Sequence, residues 1–508
     1  MRLDSVLISD AVDQACVQLL RDNGIRVTLK TKMPLPELLE EIKKHDGLIV
    51  RSDTKVTRQV LDNAPKLKVI GRAGTGVDNI DLEAATARGI LVMNTPGGNS
   101  ISACELTCAL ISSLARHVSP ASSALKKGSW ERKNYAGTEL YGKTLAVLGL
   151  GRIGREVAVR MQAFGMKTIG YDPIISAQAA REFNVEKMEL EQIWPLADYI
   201  TVHTPLIPQT RNLINFEVLN KCKKGVYIIN VARGGIVDEE GLLRSLESGQ
   251  CGGAALDVFT EEPPKSEGLI RLLEHPRVLA TPHLGASTAE AQQRVAVEIA
   301  EQFVALTKGE ALFGVVNCPA LTTAVQASTK PWVDLAKALG SFGPSSDCTV
   351  TVQTFGPGLE RLSGHLGPAV LAGMLASQTA NLINAPTLAK EANLTVRSEH
   401  LHGEQQQGLQ VNFSNGRCVR GSVVEGVPSL LAVDDARFGD KGVELGGNLL
   451  MLDGVTDLAQ VVHSVAAKGV RISRLATAHA GRGCVAVHTD ARVDGAVAGG
   501  RLLGQLTF

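Results

Sequence analysis

The sequence predicts an α/β protein of two doubly wound parallel sheets, followed by smaller α+β segments. Three observations carry this expectation. Short apolar runs alternate with helical patterns through the first two-thirds of the 508 residues, the order that lays parallel strands between crossover helices. Those runs are apolar on both faces, as in strands covered by helices on two sides. From about Cys318 the alternation stops, and strands with one wet face take over. A chain this long exceeds one core, so about three or four domains are expected.

The first series reads as strands over 5–9, 47–52, 67–73 and 90–95, with helical segments such as 36–44 and 81–89 between them. After Asn94-Thr95-Pro96 the pattern predicts a long helix over 103–117. A second series places strands over 144–151, 166–173, 199–205, 226–235, 253–259 and 277–285, each closed by Gly, Pro, Asp or a polar turn. A helix over 289–309 follows, and 314–321 leads out of the region. In the last third, 332–339 reads as a helix, and 349–355 and 409–413 alternate like half-exposed strands. Beyond Gly446 the order is strand (448–452), helix (457–469), strand (470–478), strand (483–489), helix, strand (504–508). That βαββαβ order suits a small ferredoxin-like domain.

An apolar fraction of 44% is ordinary for packed structure, and the net charge of zero gives no field to attract nucleic acid or an acidic membrane surface. No apolar run reaches the roughly 18 residues of a membrane span. The opening apolar run, closed by Asp10, is too short for a signal peptide. Nine cysteines are scattered without a CxxC, and Cys104 and Cys108, one helical turn apart, have no second ligand pair nearby. Free thiols in a reducing, cytosolic compartment are expected. His400 and His402 lie in a Glu/Gln-rich loop with no third positioned ligand, so no metal site is expected.

The strongest local signal is Gly149-Leu150-Gly151-Arg152-Ile153-Gly154. Alone, such a glycine pattern is only a turn. Here a strand over 145–148 precedes it, a helix over 152–164 follows, and the next strand ends in Asp172. Gly149 permits the tight turn, Gly151 lets backbone approach a pyrophosphate, and Gly154 lets helix and strand pack closely. The helix N-terminus offers unpaired N–H groups and a positive dipole. Asp172 can accept from the adenosine ribose hydroxyls and repels a 2′-phosphate, so NAD is favoured over NADP.

Three residues follow later strands: Arg233 after 226–232, Glu262 after 253–261 and His283 after 277–282. Open α/β sheets place ligands at these carboxyl ends. Singly, each has an ordinary alternative: a surface charge, a turn cap and a structural histidine. Together they make a usable set. An Arg clamps a carboxylate bidentately. A His serves as a base near neutral pH. A carboxylate orients that imidazole and stabilises its protonated form.

The segments 149–154, 230–235, 257–263 and 282–285, in this order, resemble the D-isomer-specific 2-hydroxyacid dehydrogenases. The resemblance covers roughly residues 1–317. It implies two Rossmann-like domains: a split substrate domain (1–95 and 290–317) and an NAD domain (96–289). It also implies cofactor contacts at Thr75, Arg152, Ile153, Asp172, Thr204, Val231, Ala232, Arg233, Asp257, His283, Leu284, Gly285 and Ala286. In the implied mechanism His283 takes the hydroxyl proton, Glu262 hydrogen-bonds His283, and Arg233 binds the substrate carboxylate.

The substrate is read from the first series. Gly71-Arg72-Ala73-Gly74-Thr75-Gly76 follows a strand and can expose successive N–H groups as an anion nest, with Gly74 and Gly76 opening it. Arg51 and Arg72 end neighbouring strands and suit a phosphate, and Arg132 and Lys133 add two cations in a loop. The segments 50–57, 71–79, 130–133, 171–176 and 260–264 resemble members of the family that oxidise 3-phospho-D-glycerate to 3-phosphohydroxypyruvate, the entry to L-serine synthesis. Such long members carry an intervening domain, here 318–440, and a terminal ACT-like domain, here 441–508. The resemblance implies a homo-oligomer, dimer or tetramer, acting on a small phosphorylated hydroxy acid. The alternatives are an NAD-dependent hydroxypyruvate or glyoxylate reductase, and an NAD-sensing corepressor or scaffold.

Overall fold

The computed structural model describes residues 1–507 except 377, 378, 480 and 482. The chain divides into two compact units, Met1–Asn94 with Val297–Phe508, and Thr95–Ala296.

The first unit opens with five parallel strands, β1 (Ser5–Ile8), β2 (Arg26–Leu29), β3 (Gly47–Val50), β4 (Val69–Arg72) and β5 (Leu91–Asn94), in the order β2-β1-β3-β4-β5. β1 and β3 are buried along their whole length, as their continuous apolar runs require. β2 was not expected: it is an edge strand with both terminal residues exposed, so its sequence carries no two-faced apolar signal. Phe303, on the helix Ala289–Lys308, is fully buried against the sheet. A Cβ at Gly47 would lie 2.8 Å from its ring, and one at Gly71 would also clash, so these two glycines open a slot for the aromatic side chain. The returning chain completes the sheet margin, with Val92 N–H donating to Asn317 Oδ1 at 2.9 Å and Met93 bridged to Val315.

The second unit holds seven parallel strands, β6 (Thr144–Leu148), β7 (Lys167–Tyr171), β8 (Glu186–Lys187), β9 (Tyr199–Val202), β10 (Val226–Asn230), β11 (Cys251–Leu256) and β12 (Val278–Ala280). Their order is β12-β11-β10-β9-β6-β7-β8. Leu148, Ile200 and Ile228 fill the core on one face, and Leu145, Val147, Tyr199 and Ile229 on the other. The strand order reverses between β6 and β9, the switch point where such sheets bind ligands beyond their carboxyl ends.

The rest of the first unit carries two further sheets. The larger consists of β13 (Cys348–Phe355), β14 (Leu394–Leu401), β15 (Gly408–Phe413), β16 (Cys418–Val424), β17 (Val427–Val433), β18 (Ala436–Arg437) and β19 (Val443–Glu444). Its order is β14-β13-β15-β16-β17-β18, with β19 on β17, and β14 is a parallel edge strand. The last sheet comprises β20 (Asn448–Asp453), β21 (Ile472–Thr477), β22 (Val485–Thr489) and β23 (Arg501–Thr507), antiparallel in the order β21-β22-β20-β23. The helix Leu458–Ala466 links β20 to β21 with β22 between them, the expected split arrangement. The expected second helix does not form. Residues 490–500 are turns and bends, broken by Gly495 (φ 72°) and Gly499 (φ 96°), and Val493 and Val497 cover the core in its place. Phe508, the end of the last expected strand, lies outside the described residues. Among the described residues no helix is long and apolar enough to cross a membrane.

Candidate active site

The glycine-rich turn leaves β6 and enters the helix Arg152–Gln162. Gly149 sits at φ 97°, and a Cβ there would meet the His203 carbonyl oxygen at 2.5 Å. A Cβ at Gly154 would fall inside contact distance of the Gly149 carbonyl oxygen, so only glycine lets the helix sit this close to the strand. Gly151 is the helix N-cap, and a Cβ there would meet nothing within 4 Å. The space is open on the side where the first N–H groups of the helix emerge. Thr204 Oγ1, just past β9, is buried without a hydrogen-bond partner. An open cradle, a helix N-terminus and an orphaned hydroxyl fit a bound dinucleotide.

Asp172 follows β7 and is nine-tenths buried. Its Oδ2 accepts from Leu150 N–H at 2.8 Å, and its Oδ1 from Ile174 and Ile175 N–H at 2.8 and 3.0 Å. Burial works against its charge, but these three N–H groups and nearby Lys187 outweigh it, and the carboxyl is held below its ordinary range. Arg152 Nη1 reaches the Pro96 carbonyl oxygen at 3.4 Å, and Ile153 packs partly against the core.

The expected trio lies in this same unit. Arg233 follows β10 in a turn tied by Asn230, whose Oδ1 accepts from Ala232 N–H at 3.0 Å and whose Nδ2 donates to the Arg233 carbonyl at 2.8 Å. Arg233 Nη1 donates to the Ala232 carbonyl at 2.7 Å. A Cβ at Gly234 would clash with the Phe259 carbonyl, so glycine there lets the Arg233 loop close onto the loop that carries Glu262. Glu262 Oε1 accepts from Phe259 N–H at 3.0 Å, and its Oε2 lies 2.7 Å from His283 Nδ1. Desolvation raises the Glu262 carboxyl, but the His283 hydrogen bond, the Phe259 N–H and the charge of Arg233 together hold it below its ordinary range.

His283 has φ 53°, a left-handed conformation uncommon for a non-glycine residue. Asp257 imposes it. Fully buried, Asp257 accepts at Oδ1 from Leu284 N–H (2.7 Å) and the Thr281 hydroxyl (2.5 Å), and at Oδ2 from Gly285 N–H (2.8 Å). Its carbonyl accepts from His283 N–H at 2.9 Å. Val231 is buried beside this turn, and Ala232 and Ala286 are half-buried. Sequence reasoning missed Asn230 as an organiser. Its only sequence signal is an amide side chain closing the apolar run 226–229, directly before the Arg233 turn.

In the first unit, Arg51 and Arg72 end adjacent strands, with Val50 and Arg72 in register. Arg51 N–H donates to Asp10 Oδ2 at 2.6 Å, and Asn79 Nδ2 donates to the Arg51 carbonyl at 2.7 Å. Asp10 also takes the Thr54 N–H and hydroxyl. These two pinning residues, Asp10 and Asn79, were not anticipated. The Arg72 guanidinium folds over Gly74, where a Cβ would collide with it. The Thr75 carbonyl accepts from Asn94 Nδ2 at 2.5 Å, and Gly76 is half-buried. Arg132 and Lys133, in the second unit, are exposed on a short 3-10 turn (Arg132–Tyr135) beside Trp130.

A carboxylate-backed imidazole beside an arginine, beyond the carboxyl ends of the strands of a dinucleotide-binding sheet, defines an NAD-dependent oxidoreductase of small hydroxy acids. Comparison with known proteins agrees. Residues 108–285 match the family model for the D-isomer specific 2-hydroxyacid dehydrogenase, NAD binding domain. The chain is 54% identical over 435 residues to D-3-phosphoglycerate dehydrogenase of Rattus norvegicus, covering 84% of this chain and 80% of that one. It is 39% identical over 452 residues to D-3-phosphoglycerate dehydrogenase of Bacillus subtilis, covering 87% and 83%. Among solved structures, D-lactate dehydrogenase from Aquifex aeolicus, complexed with NAD and lactic acid, superposes with a TM-score of 0.54 at 30% identity, over 60% of this chain and 96% of that one. The chain belongs to the D-isomer-specific 2-hydroxyacid dehydrogenase family, and its cofactor is NAD.

Proposed function

We propose that this enzyme oxidises 3-phospho-D-glycerate to 3-phosphohydroxypyruvate. The observation that carries the chemistry is the 2.7 Å His283–Glu262 hydrogen bond beside the Arg233 loop. NAD, when bound, supplies the hydride acceptor. His283 Nε2 removes the proton from the C2 hydroxyl as the C2–H electron pair leaves and the C–O bond becomes a carbonyl. Glu262 holds the ring through Nδ1 and balances the imidazolium that forms. Arg233 binds the substrate carboxylate through its planar fork. The turn at Gly149, Gly151 and Gly154, with Arg152, Ile153, Thr204, Val231 and the 283–286 turn, holds the cofactor, and Asp172 takes its ribose. Arg51 and Arg72 take the phosphate, with Gly74, Thr75 and Gly76 supporting them.

The names of the relatives support the substrate, and the paired strand-end arginines support its phosphate. The nine free cysteines fit a cytosolic setting, and the enzyme works as a homo-oligomer whose tail domains serve assembly. The test is NADH formation with D-3-phosphoglycerate, beside D-glycerate and D-lactate. Turnover with the phosphorylated acid alone supports the assignment, and loss of that preference in Arg51→Gln and Arg72→Gln ties it to those side chains. Turnover with only the unphosphorylated acids gives the reductase reading instead. NADH binding without any turnover gives the scaffold reading.

A further inference from the structure

Among its described residues, the tail contains one cluster of ligating side chains that the dehydrogenase chemistry does not use. His400 is the penultimate residue of β14, the edge strand of the third sheet, and His402 lies just past the strand end. The pair was expected to lack a third partner. The structure supplies it in Glu360, distant in sequence, from the segment between β13 and the helix Ser363–Met374. One ligand atom from each of the three lies within 4.8 Å of the others. The two imidazole rings meet edge to face, with centroids 5.0 Å apart.

His400 faces Glu360 with Nε2 and is anchored on its other side through Nδ1. Its Nδ1 lies 3.0 Å from Thr354 Oγ1, and Thr354 is fully buried. The Thr354 hydroxyl also lies 3.5 Å from the Glu399 carbonyl, so it can donate there and accept Nδ1–H. In that tautomer His400 Nε2 carries the lone pair, and it faces Glu360 Oε1 at 3.6 Å. An acceptor opposite a carboxylate oxygen is repulsive unless a positive centre sits between them. A ligating histidine anchored through its other nitrogen is the usual support for a metal-bound imidazole.

We propose that Glu360, His400 and His402 bind a divalent cation of the zinc class. Two neutral imidazoles and one carboxylate suit Zn²⁺, with water completing its coordination. The ion clips the Glu360 segment to the exposed edge of the third sheet. It takes no part in hydride transfer.

The test uses the full chain, stripped with a chelator and titrated with Zn²⁺ alone against a chromophoric competitor, beside His402→Ala and Glu360→Gln. Both altered side chains are exposed, so the fold is retained. The wild type should hold one tight equivalent more than either variant. Its loss should exceed the roughly 10–100-fold that even an outer supporting residue of a metal site carries. Zinc X-ray absorption should show imidazole and oxygen ligands, and Zn²⁺ should raise the melting temperature of the wild type alone. The cysteines are common to all three proteins and cancel in the comparison. Equal stoichiometry and affinity in all three, or ligation by sulfur alone, overturns the site and leaves a proton-bridged His400–Glu360 pair.

Discussion

His283 Nδ1 and Glu262 Oε2 stand 2.7 Å apart, joining loops whose residues are separated by 21 positions in the chain. Both side chains are only half-buried, so water or a substrate reaches them. The opposite oxygen of Glu262 is held by Phe259 N–H, so the carboxylate cannot swing away without losing a second bond. The ring is therefore aimed by a fixed group. Replacing Glu262 with Gln keeps the shape but removes the charge that compensates an imidazolium. Turnover should fall by roughly two decades or more while NADH binding, read by fluorescence titration, stays near wild type. Unchanged kcat would remove Glu262 from the mechanism.

His283→Ala should lower kcat by about two to four decades, the span of general acid–base catalysis. The backbone at 283 favours residues that tolerate positive φ, so His283→Asn separates backbone strain from chemistry. Asn should recover stability lost by Ala without recovering rate. A variant as active as wild type would show that the proton goes elsewhere.

Gly154→Ala puts a methyl group against the Gly149 carbonyl, a contact with backbone that cannot rotate aside. Overpacking of this kind costs about 1–3 kcal/mol. The expected result is a lower melting temperature together with weaker NADH binding. Gly151→Ala meets no protein atom, so it should keep the melting temperature and lose only cofactor affinity. Equal effects at the two positions would contradict their separate roles.

Asp172 has a depressed carboxyl pKa, because its backbone N–H donors outweigh the cost of its burial. A group depressed on folding stabilises the native state above the ordinary carboxyl range, near pH 4. That contribution disappears as pH falls through the folded value. The stability gap between wild type and Asp172→Asn, measured by denaturant unfolding, should be full at neutral pH and shrink below about pH 4. A gap that stays constant into acid would show that the N–H bonds, not the charge, matter.

Asp257→Asn replaces an all-acceptor group with one that carries two donors, facing Leu284 N–H, Gly285 N–H and the Thr281 hydroxyl. At least one buried N–H loses its partner, at about 1–3 kcal/mol. Stability and kcat should drop together, because the turn that presents His283 loosens. A stable but slow enzyme would move Asp257 into direct contact with the cofactor.

The parts of this protein written as local pattern were legible in its sequence. Strands buried on both faces, such as β3 and β6, announce themselves as apolar runs, and the glycine turn requires glycine at fixed offsets. The edge strands β2 and β14 did not show, since they have exposed residues and no two-faced signal. The helix expected between the last two strands gives way to turns and bends at 490–500, where Gly495 and Gly499 set a different backbone although Val493 and Val497 fall at helical spacing. Asp10, Asn79 and Asn230 fix the loops that carry Arg51 and Arg233, yet each reads as an ordinary polar residue until its backbone partners are known. Glu360 was hidden for the same reason: its partners His400 and His402 lie far along the chain.

The glycine slot in the first sheet also sets a timetable. Gly47 and Gly71 are shaped for a ring at position 303, and the sheet margin at Val92 and Met93 is completed by residues 315 and 317. During synthesis the whole second unit must emerge before those pieces exist. The nascent first sheet is thus a half-built lock waiting for a key made some two hundred residues later, and a ribosome stalled in between releases a chain with an open apolar seam.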